Sequence, residues 1–177
     1  MRTLSTALLC LLAVVMAGCE DTTPTATTVN LGRATLAEFR ANTVYNAWYT
    51  TGYDAFPAAA DKAGFDANVA RIKAVIDSSQ YTVAMAVKPS CGCQDTQREM
   101  PRVMKTLDAA GFPQDKVEIY ITDAGLRGID DAKTKYAITD APTFIVLKNG
   151  VELGRIIEAP AQGKTIDQEL ADLFQKP

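Results

Sequence analysis

Histidine is absent from all 177 residues of the sequence. Without an imidazole the protein has no Ser-His-Asp or Cys-His catalysis, no histidine-ligated zinc and no histidine pH switch. Basic side chains are also in deficit, since 18 Lys and Arg stand against 21 Asp and Glu, which gives a net charge of −3. A nucleic-acid interface needs clustered Lys and Arg, so the charge balance argues against this class. Any chemistry must therefore use cysteine, carboxylates, lysine, tyrosine or hydroxyl groups.

The composition fits one ordinary folded domain. The chain is 47% hydrophobic and 22% charged, and it has neither an internal repeat nor an evident second domain. Collagen-like, coiled-coil and largely disordered chains have different compositions and are excluded.

Residues 1–18 predict a secretory signal peptide. Arg2 gives a positive start, and the apolar run from Leu4 to Ala17 is shorter than the about 20 residues of a spanning helix. The ending Met-Ala-Gly-Cys19 resembles the bacterial lipobox, which implies cleavage before Cys19 and lipidation of its sulfur. The alternative is an ordinary signal peptide followed by a chance cysteine.

The segment after this signal predicts a tether. Residues 20–32 contain five Thr, one Pro and almost no large apolar side chain, so they cannot bury enough surface to fold. We therefore expect a lipid-anchored flexible tether at 19–32 and a folded domain at 33–177. The expected location is the bacterial cell envelope, with the domain attached to a membrane outside the cytoplasm, where disulfide chemistry is available.

Hydrophobic periodicity and turn residues predict the element order α, α, β-α-β-α-β-β-α. Strands are expected at 81–87, 117–122, 143–147 and 151–157, the last two joined by an Asn149-Gly150 hairpin. Two amino-terminal helices are expected, one capped by Thr35 and ended by Gly52, the other capped by Asp66. Later helices are expected at 96–110, 130–136 and 165–174. A βαβ unit pairs in parallel and a hairpin antiparallel, so the sheet should be mixed.

The first helices are rich in aromatic residues. Residues 39–65 hold seven of the thirteen aromatic side chains, including Tyr45, Trp48, Tyr49, Tyr53 and Phe56. We expect them to pack the helices onto the sheet; a substrate-facing groove is the alternative.

Two cysteines, Cys91 and Cys93, lie where the buried strand 81–87 leads into a helix. In open α/β sheets the carboxyl edge of the strands collects ligands and chemistry. A helix start carries unpaired N–H groups and partial positive charge, which favour the thiolate, the attacking species in disulfide exchange. The position and the chemistry both predict a redox site.

Two motifs carry a family resemblance. APTF at 141–144, just before a strand, looks like a cis-proline loop, and GCQDTQREMPR at 92–102 is similar to the frame W-C-S-D-[ST]-Q-R-E-x-P-R of a group of bacterial thioredoxin-family proteins. The chain thus resembles the thioredoxin-like family. This resemblance implies an α/β thioredoxin-like fold, a mixed central sheet flanked by helices with an amino-terminal helical extension, and thiol-disulfide oxidoreductase activity.

The resemblance also sets the register of the two cysteines. Thioredoxins carry a proline eight residues after the first active cysteine, and Pro101 lies eight after Cys93. Cys93 is therefore expected to be the nucleophile, while Thr96 stands where the second cysteine usually lies and Cys91 is an additional thiol. The same resemblance implies that Pro142, with Ala141 and Thr96, shapes the substrate-binding groove.

We favour a reversible Cys91–Cys93 disulfide in which Cys93 attacks and Cys91 resolves. Gly92 between them tolerates the bend that so small a ring requires, and a strained disulfide is more oxidising than a relaxed one. The expected partners are exported protein thiols and disulfides or small thiols, together with the membrane through the anchor, and no nucleic acid. No cofactor and no metal are expected.

Three alternatives remain open at this point. Both thiolates could hold Cu(I) or another soft metal. The domain could instead be a redox-silent thioredoxin-fold interaction module, or the cysteines could form an inert structural disulfide. The residues that follow the cysteines, Gln97, Arg98 and Glu99, are interpreted as a solvated helix face.

Overall fold

The computed structural model describes residues 30–76, 80–89 and 92–177. The predicted signal peptide, the predicted lipidation site Cys19, residues 19–29 of the tether and Cys91 lie outside the described residues.

The described chain contains strands and helices in the order β1, α1–α3, β2, α4, β3, α5, β4, β5, α6. The strands are β1 (Gly32–Ala34), β2 (Tyr81–Val87), β3 (Val117–Ile121), β4 (Thr143–Lys148) and β5 (Val151–Ile157). The helices are α1 (Leu36–Ala41), α2 (Thr43–Ala55), α3 (Lys62–Lys73), α4 (Gln94–Ala110), α5 (Asp130–Tyr136) and α6 (Ile166–Phe174). No helix in these described segments is both long enough and apolar enough to cross a membrane.

The five strands form one sheet in the order β1-β3-β2-β4-β5. β2 and β3 run parallel, while β2–β4, β4–β5 and β1–β3 are antiparallel. The predicted mixed sheet flanked by helices is confirmed, and α1 and α2 supply the predicted amino-terminal helical extension. This is the thioredoxin-like α/β fold. β1 was not predicted; it begins at Gly32, the last residue of the predicted tether.

The amino-terminal helices differ from the prediction. The single predicted helix is divided at Asn42 into α1 and α2. The side-chain oxygen of Asn42 accepts hydrogen bonds from the N–H groups of Val44 (3.0 Å) and Tyr45 (3.2 Å) and so caps α2. Thr35 does cap α1, with a reciprocal hydrogen bond to Glu38. The prediction that Gly52 ends the helix is wrong, because it lies inside α2.

The expected start of the next helix is also wrong. α3 begins at Lys62, four residues before the expected cap Asp66. Asp66 lies within the helix, where its carboxylate pairs with the Lys62 ammonium at 2.7 Å. This i,i+4 pairing explains its place on the helix surface.

Two layers of apolar side chains enclose the sheet. The larger cluster lies between the sheet and helices α1–α4 and α6, and the smaller one lies under α5. Phe39, Tyr45 and Tyr49 are buried in the larger cluster, which confirms that the aromatic residues pack the helical extension. The extension is therefore an integral part of the core beside α4.

Candidate active site

Cys93 is the N-cap of α4. Its carbonyl accepts the first helical hydrogen bond, from the Gln97 N–H at 3.1 Å, and its side chain is half-buried. The 17-residue helix directs its unpaired N–H groups and the positive end of its dipole toward this position.

The proline loop lies at the same edge of the sheet. The Ala141–Pro142 peptide bond is cis, as the family resemblance implied. The next residue, Thr143, pairs with Ala86 near the end of β2, and Cys93 follows the last residue of β2 by six positions. Ala141 and Pro142 are both buried, so the loop is fixed against the carboxyl end of β2.

Thr96 acts inside the protein. It has no exposed surface, and its hydroxyl oxygen accepts a hydrogen bond from the Lys88 N–H at 3.3 Å. Its predicted part in the substrate-binding groove stays a prediction, as do those of the equally buried Ala141 and Pro142. The hydrogen bond connects the chain that leaves β2 to the first turn of α4, and in this way Thr96 helps to position Cys93.

The charged residues after Cys93 are not all solvated, contrary to the prediction. The side chain of Glu99 is only 1% exposed. It forms an ion pair with the neighbouring Arg98. Arg98 also pairs with Asp95 at 2.7 Å, and Arg102 lies 3.9 Å from the other Glu99 oxygen. Two arginines therefore compensate a carboxylate that α4 turns toward the interior.

The helical extension covers the outer side of α4. Arg102 lies over the ring of Phe56, 5.4 Å from its centre, and Lys105 lies over the ring of Tyr53 at 4.3 Å. Such contacts between cations and aromatic faces are favourable. α2 and Phe56, the residue that follows it, therefore pack against α4.

Glu158 is a site residue that the sequence analysis missed. It follows β5, and its N–H donates a 2.7 Å hydrogen bond to the carbonyl of Pro142. Finding it would have required the register of the hairpin, and this register includes an irregularity between Val146 and Leu147. No sequence pattern predicts this change of register between β4 and β5.

The described residues contain no group of three or more Cys, Asp or Glu side chains placed to hold a metal ion. Cys91, the other thiol of the proposed soft-metal alternative, lies outside them.

The strand order, the helix that begins at Cys93 and the loop at Pro142 together define a protein of thioredoxin-like fold. No protein-family model matches the chain, and no curated protein matches it. Among solved structures, thioredoxin O2 from Arabidopsis thaliana is 22% identical, with 60% of this chain and 83% of that chain covered and a TM-score of 0.36.

Two further solved structures are similar. Thioredoxin from Trypanosoma brucei brucei is 22% identical, with 54% of this chain and 72% of that chain covered and a TM-score of 0.34. A protein of unknown function from Pseudomonas aeruginosa is 19% identical, with 80% and 95% covered and a TM-score of 0.44. Similarities at this level carry no conclusion about activity.

Proposed function

We propose that the protein is a thiol-disulfide oxidoreductase in which Cys93 is the nucleophile and Cys91 the resolving thiol. The observation that supports this function best is the position of Cys93, half-buried at the start of α4 and at the sheet edge that also carries the Pro142 loop. The proposal is supported by the general tendency of a helix start to favour a thiolate over a thiol.

The proposed reaction is a two-step exchange. The Cys93 thiolate attacks one sulfur of a substrate disulfide, a mixed disulfide forms, and the other substrate sulfur leaves as a thiolate that takes a proton from water. The Cys91 thiolate then attacks the Cys93 sulfur and releases the second substrate thiol. The substrate gains two electrons, and the protein is left with a Cys91–Cys93 disulfide. The reverse sequence oxidises a dithiol, and the relative reduction potentials set the direction.

The proposed setting is the outer side of a bacterial membrane. The lipobox-like ending at Cys19 and the Thr-rich segment after it support a lipid-anchored domain that acts on exported protein thiols and disulfides or on small thiols. Incorporation of radiolabelled palmitate into the protein, lost in Cys19→Ala, tests the anchor. An unlabelled wild-type protein would contradict it.

Trapping of the mixed disulfide tests the nucleophile. Cys91→Ser retains the attacking thiol but cannot resolve the intermediate, so it should accumulate a covalent adduct with a model peptide disulfide. The adduct should map to Cys93 and disappear on treatment with dithiothreitol.

Cys93→Ser is the matched variant, because it makes the same sulfur-to-oxygen replacement at the other cysteine, two residues along the chain. It should form no adduct under the same conditions. An adduct on Cys91 of equal yield in Cys93→Ser would contradict the assigned roles. Tight Cu(I) binding by the wild type without any disulfide exchange would instead favour the soft-metal module.

A further inference from the structure

Glu158 is placed beside the proposed active site by the sheet itself. Thr143 pairs with Ala86 of β2 on one side and with Ile157 of β5 on the other. Glu158 follows Ile157 and donates its N–H to the carbonyl of Pro142 at 2.7 Å. Because neighbouring strands are about 4.8 Å apart, the backbone of Glu158 lies about 10 Å from the end of β2.

The backbone of Glu158 adopts a conformation that favours glycine. Its φ angle is +60°, in the left-handed region that side chains with a Cβ rarely occupy. The hydrogen bond to Pro142 and a second one, from Ala159 N–H to the Ile157 carbonyl at 2.7 Å, hold this turn in place. Backbone geometry therefore gives no reason for a glutamate at this position.

The Glu158 carboxylate is exposed and forms no ion pair or hydrogen bond with any residue of the described segments. Asp140, two residues before Pro142, is also exposed, and its carboxylate accepts a hydrogen bond only from the neighbouring Thr139 hydroxyl at 3.0 Å. Lys88, at the end of β2, is half-buried. Two further carboxylates near this edge are paired: Asp95 with Arg98, and Asp123 with Arg127.

We propose that Glu158 determines substrate specificity by favouring disulfides that carry positive charge next to the reacting cysteine. This inference rests on the proposed function. An exposed carboxylate beside the Pro142 loop attracts a cationic peptide during its approach and repels an anionic one, so it acts mainly on the rate of association. The effect weakens as salt screens the charges.

Two peptide disulfides that differ only in flanking charge test the inference. Each contains one cysteine in a disulfide with the same reporter thiol, flanked by two Lys in one peptide and by two Glu in the other. The full-length, pre-reduced protein in detergent is mixed with each peptide at low salt. Every second-order rate constant is divided by that of neutral dithiothreitol with the same peptide, which removes the peptides' intrinsic reactivity.

The wild type should reduce the Lys peptide about two- to fivefold faster than the Glu peptide on this normalised scale. Glu158→Gln should bring the ratio close to one, and so should high salt with the wild type. Asp115→Asn is the matched control, because Asp115 is an exposed carboxylate two residues before β3 begins, at the opposite edge of the sheet. It should leave the ratio unchanged.

Two results would overturn the inference. Equal normalised rates in the wild type, or a preference that survives in Glu158→Gln, would show that this carboxylate does not select substrates while leaving the proposed exchange activity intact. If neither peptide reacts, nor a small uncharged disulfide, the proposed function fails and the inference fails with it.

Discussion

Gly52 of α2 lies directly against the ring of Pro101 in α4: a Cβ added to Gly52 would stand 2.9 Å from Pro101 Cγ. Pro101 has no N–H, so the carbonyl of Gln97 loses its helical partner. That carbonyl faces the same position, 3.5 Å from the added Cβ. The helical extension therefore packs closely against α4 at the position where one backbone hydrogen bond of that helix is missing.

Gly52→Ala should destabilise the protein. A proline ring cannot rotate away from the added methyl group, so α2 or α4 must shift, at a cost of about 1–3 kcal/mol that exceeds the better helix propensity of alanine. Urea unfolding measures the change. Gly64→Ala in α3 is the matched control, because its Cβ would meet no atom within 4 Å; it should stabilise by up to about 1 kcal/mol. Equal effects of the two substitutions would refute the close contact.

A half-buried carboxylate under α5 predicts a pH dependence of stability. Glu118 accepts hydrogen bonds from the hydroxyls of Tyr136 (2.6 Å) and Tyr120 (2.8 Å), with Lys135 and Arg33 each 3.4 Å away. Burial opposes ionisation, yet these donors and cations hold the pKa of Glu118 below its ordinary value of 4.5. Burial and the bond to Glu118 raise the pKa of Tyr120 to about 12, so its hydroxyl remains a donor at neutral pH.

Glu118→Gln should remove part of the acid sensitivity. Because the folded-state pKa is lowered, the stabilisation by ionised Glu118 is complete above about pH 5 and is lost as the pH falls through the folded-state pKa. The variant should therefore be less stable than the wild type at pH 7, by about 1–3 kcal/mol, and should lose less stability between pH 5 and 3.

Urea unfolding of both proteins at several pH values measures this difference. Tyr136→Phe, which removes one donor and keeps the ring, should lie between them. Parallel stability curves of the wild type and Glu118→Gln below pH 5 would contradict the assignment.

The register of the thiol motif can be tested by moving the second cysteine. Cys91→Ser/Thr96→Cys places the new thiol three residues after Cys93, on the same side of the first turn of α4. It should regain a reversible disulfide, detected by counting alkylated thiols at different glutathione potentials. Cys91→Ser/Asp95→Cys is the control, since residues two apart do not face each other on a helix. A disulfide in the control but not in the Thr96 variant would place the helix start elsewhere.

Local sequence patterns predicted correctly those helices, strands and turns whose formation depends mainly on residues close together in the chain. The apolar run of β2, the short helix α5 and the strand β5 have the predicted bounds. α4 ends at the predicted residue 110, where Gly111, with φ of +77°, caps it, and the predicted Asn149-Gly150 turn joins β4 to β5. Each of these features depends on a few neighbouring residues, which is why the sequence shows them.

Other features depend on residues far apart in the chain. β1 is a three-residue edge strand without an apolar run, and it exists because Gly32 to Ala34 pair with β3. In the sequence Gly52 looks like the end of a helix. In the structure it lies inside α2, where the close contact with the ring of Pro101 leaves no room for a Cβ.

The position of Glu158 depends on tertiary contacts in the same way. The irregularity in the β4–β5 pairing lies near Gly154, where a Cβ would stand 2.7 Å from Leu173 Cδ2, so a larger residue there would displace the Leu173 side chain of α6. This irregularity shifts the strands by one residue and brings Glu158 opposite Pro142. Such a shift follows from packing, and no local pattern predicts it.

The most direct test of the central claim is a redox titration of the two thiols at residues 91 and 93. The full-length protein is equilibrated at a series of glutathione potentials, and its free thiols are then alkylated. Mass spectrometry measures the mass of the tryptic peptide 74–98, which contains Cys91 and Cys93 and no other cysteine. The proposed mechanism predicts a single reversible transition between two labelled thiols and none, abolished in Cys93→Ser. A peptide that keeps both labels at every potential, or neither, would contradict it.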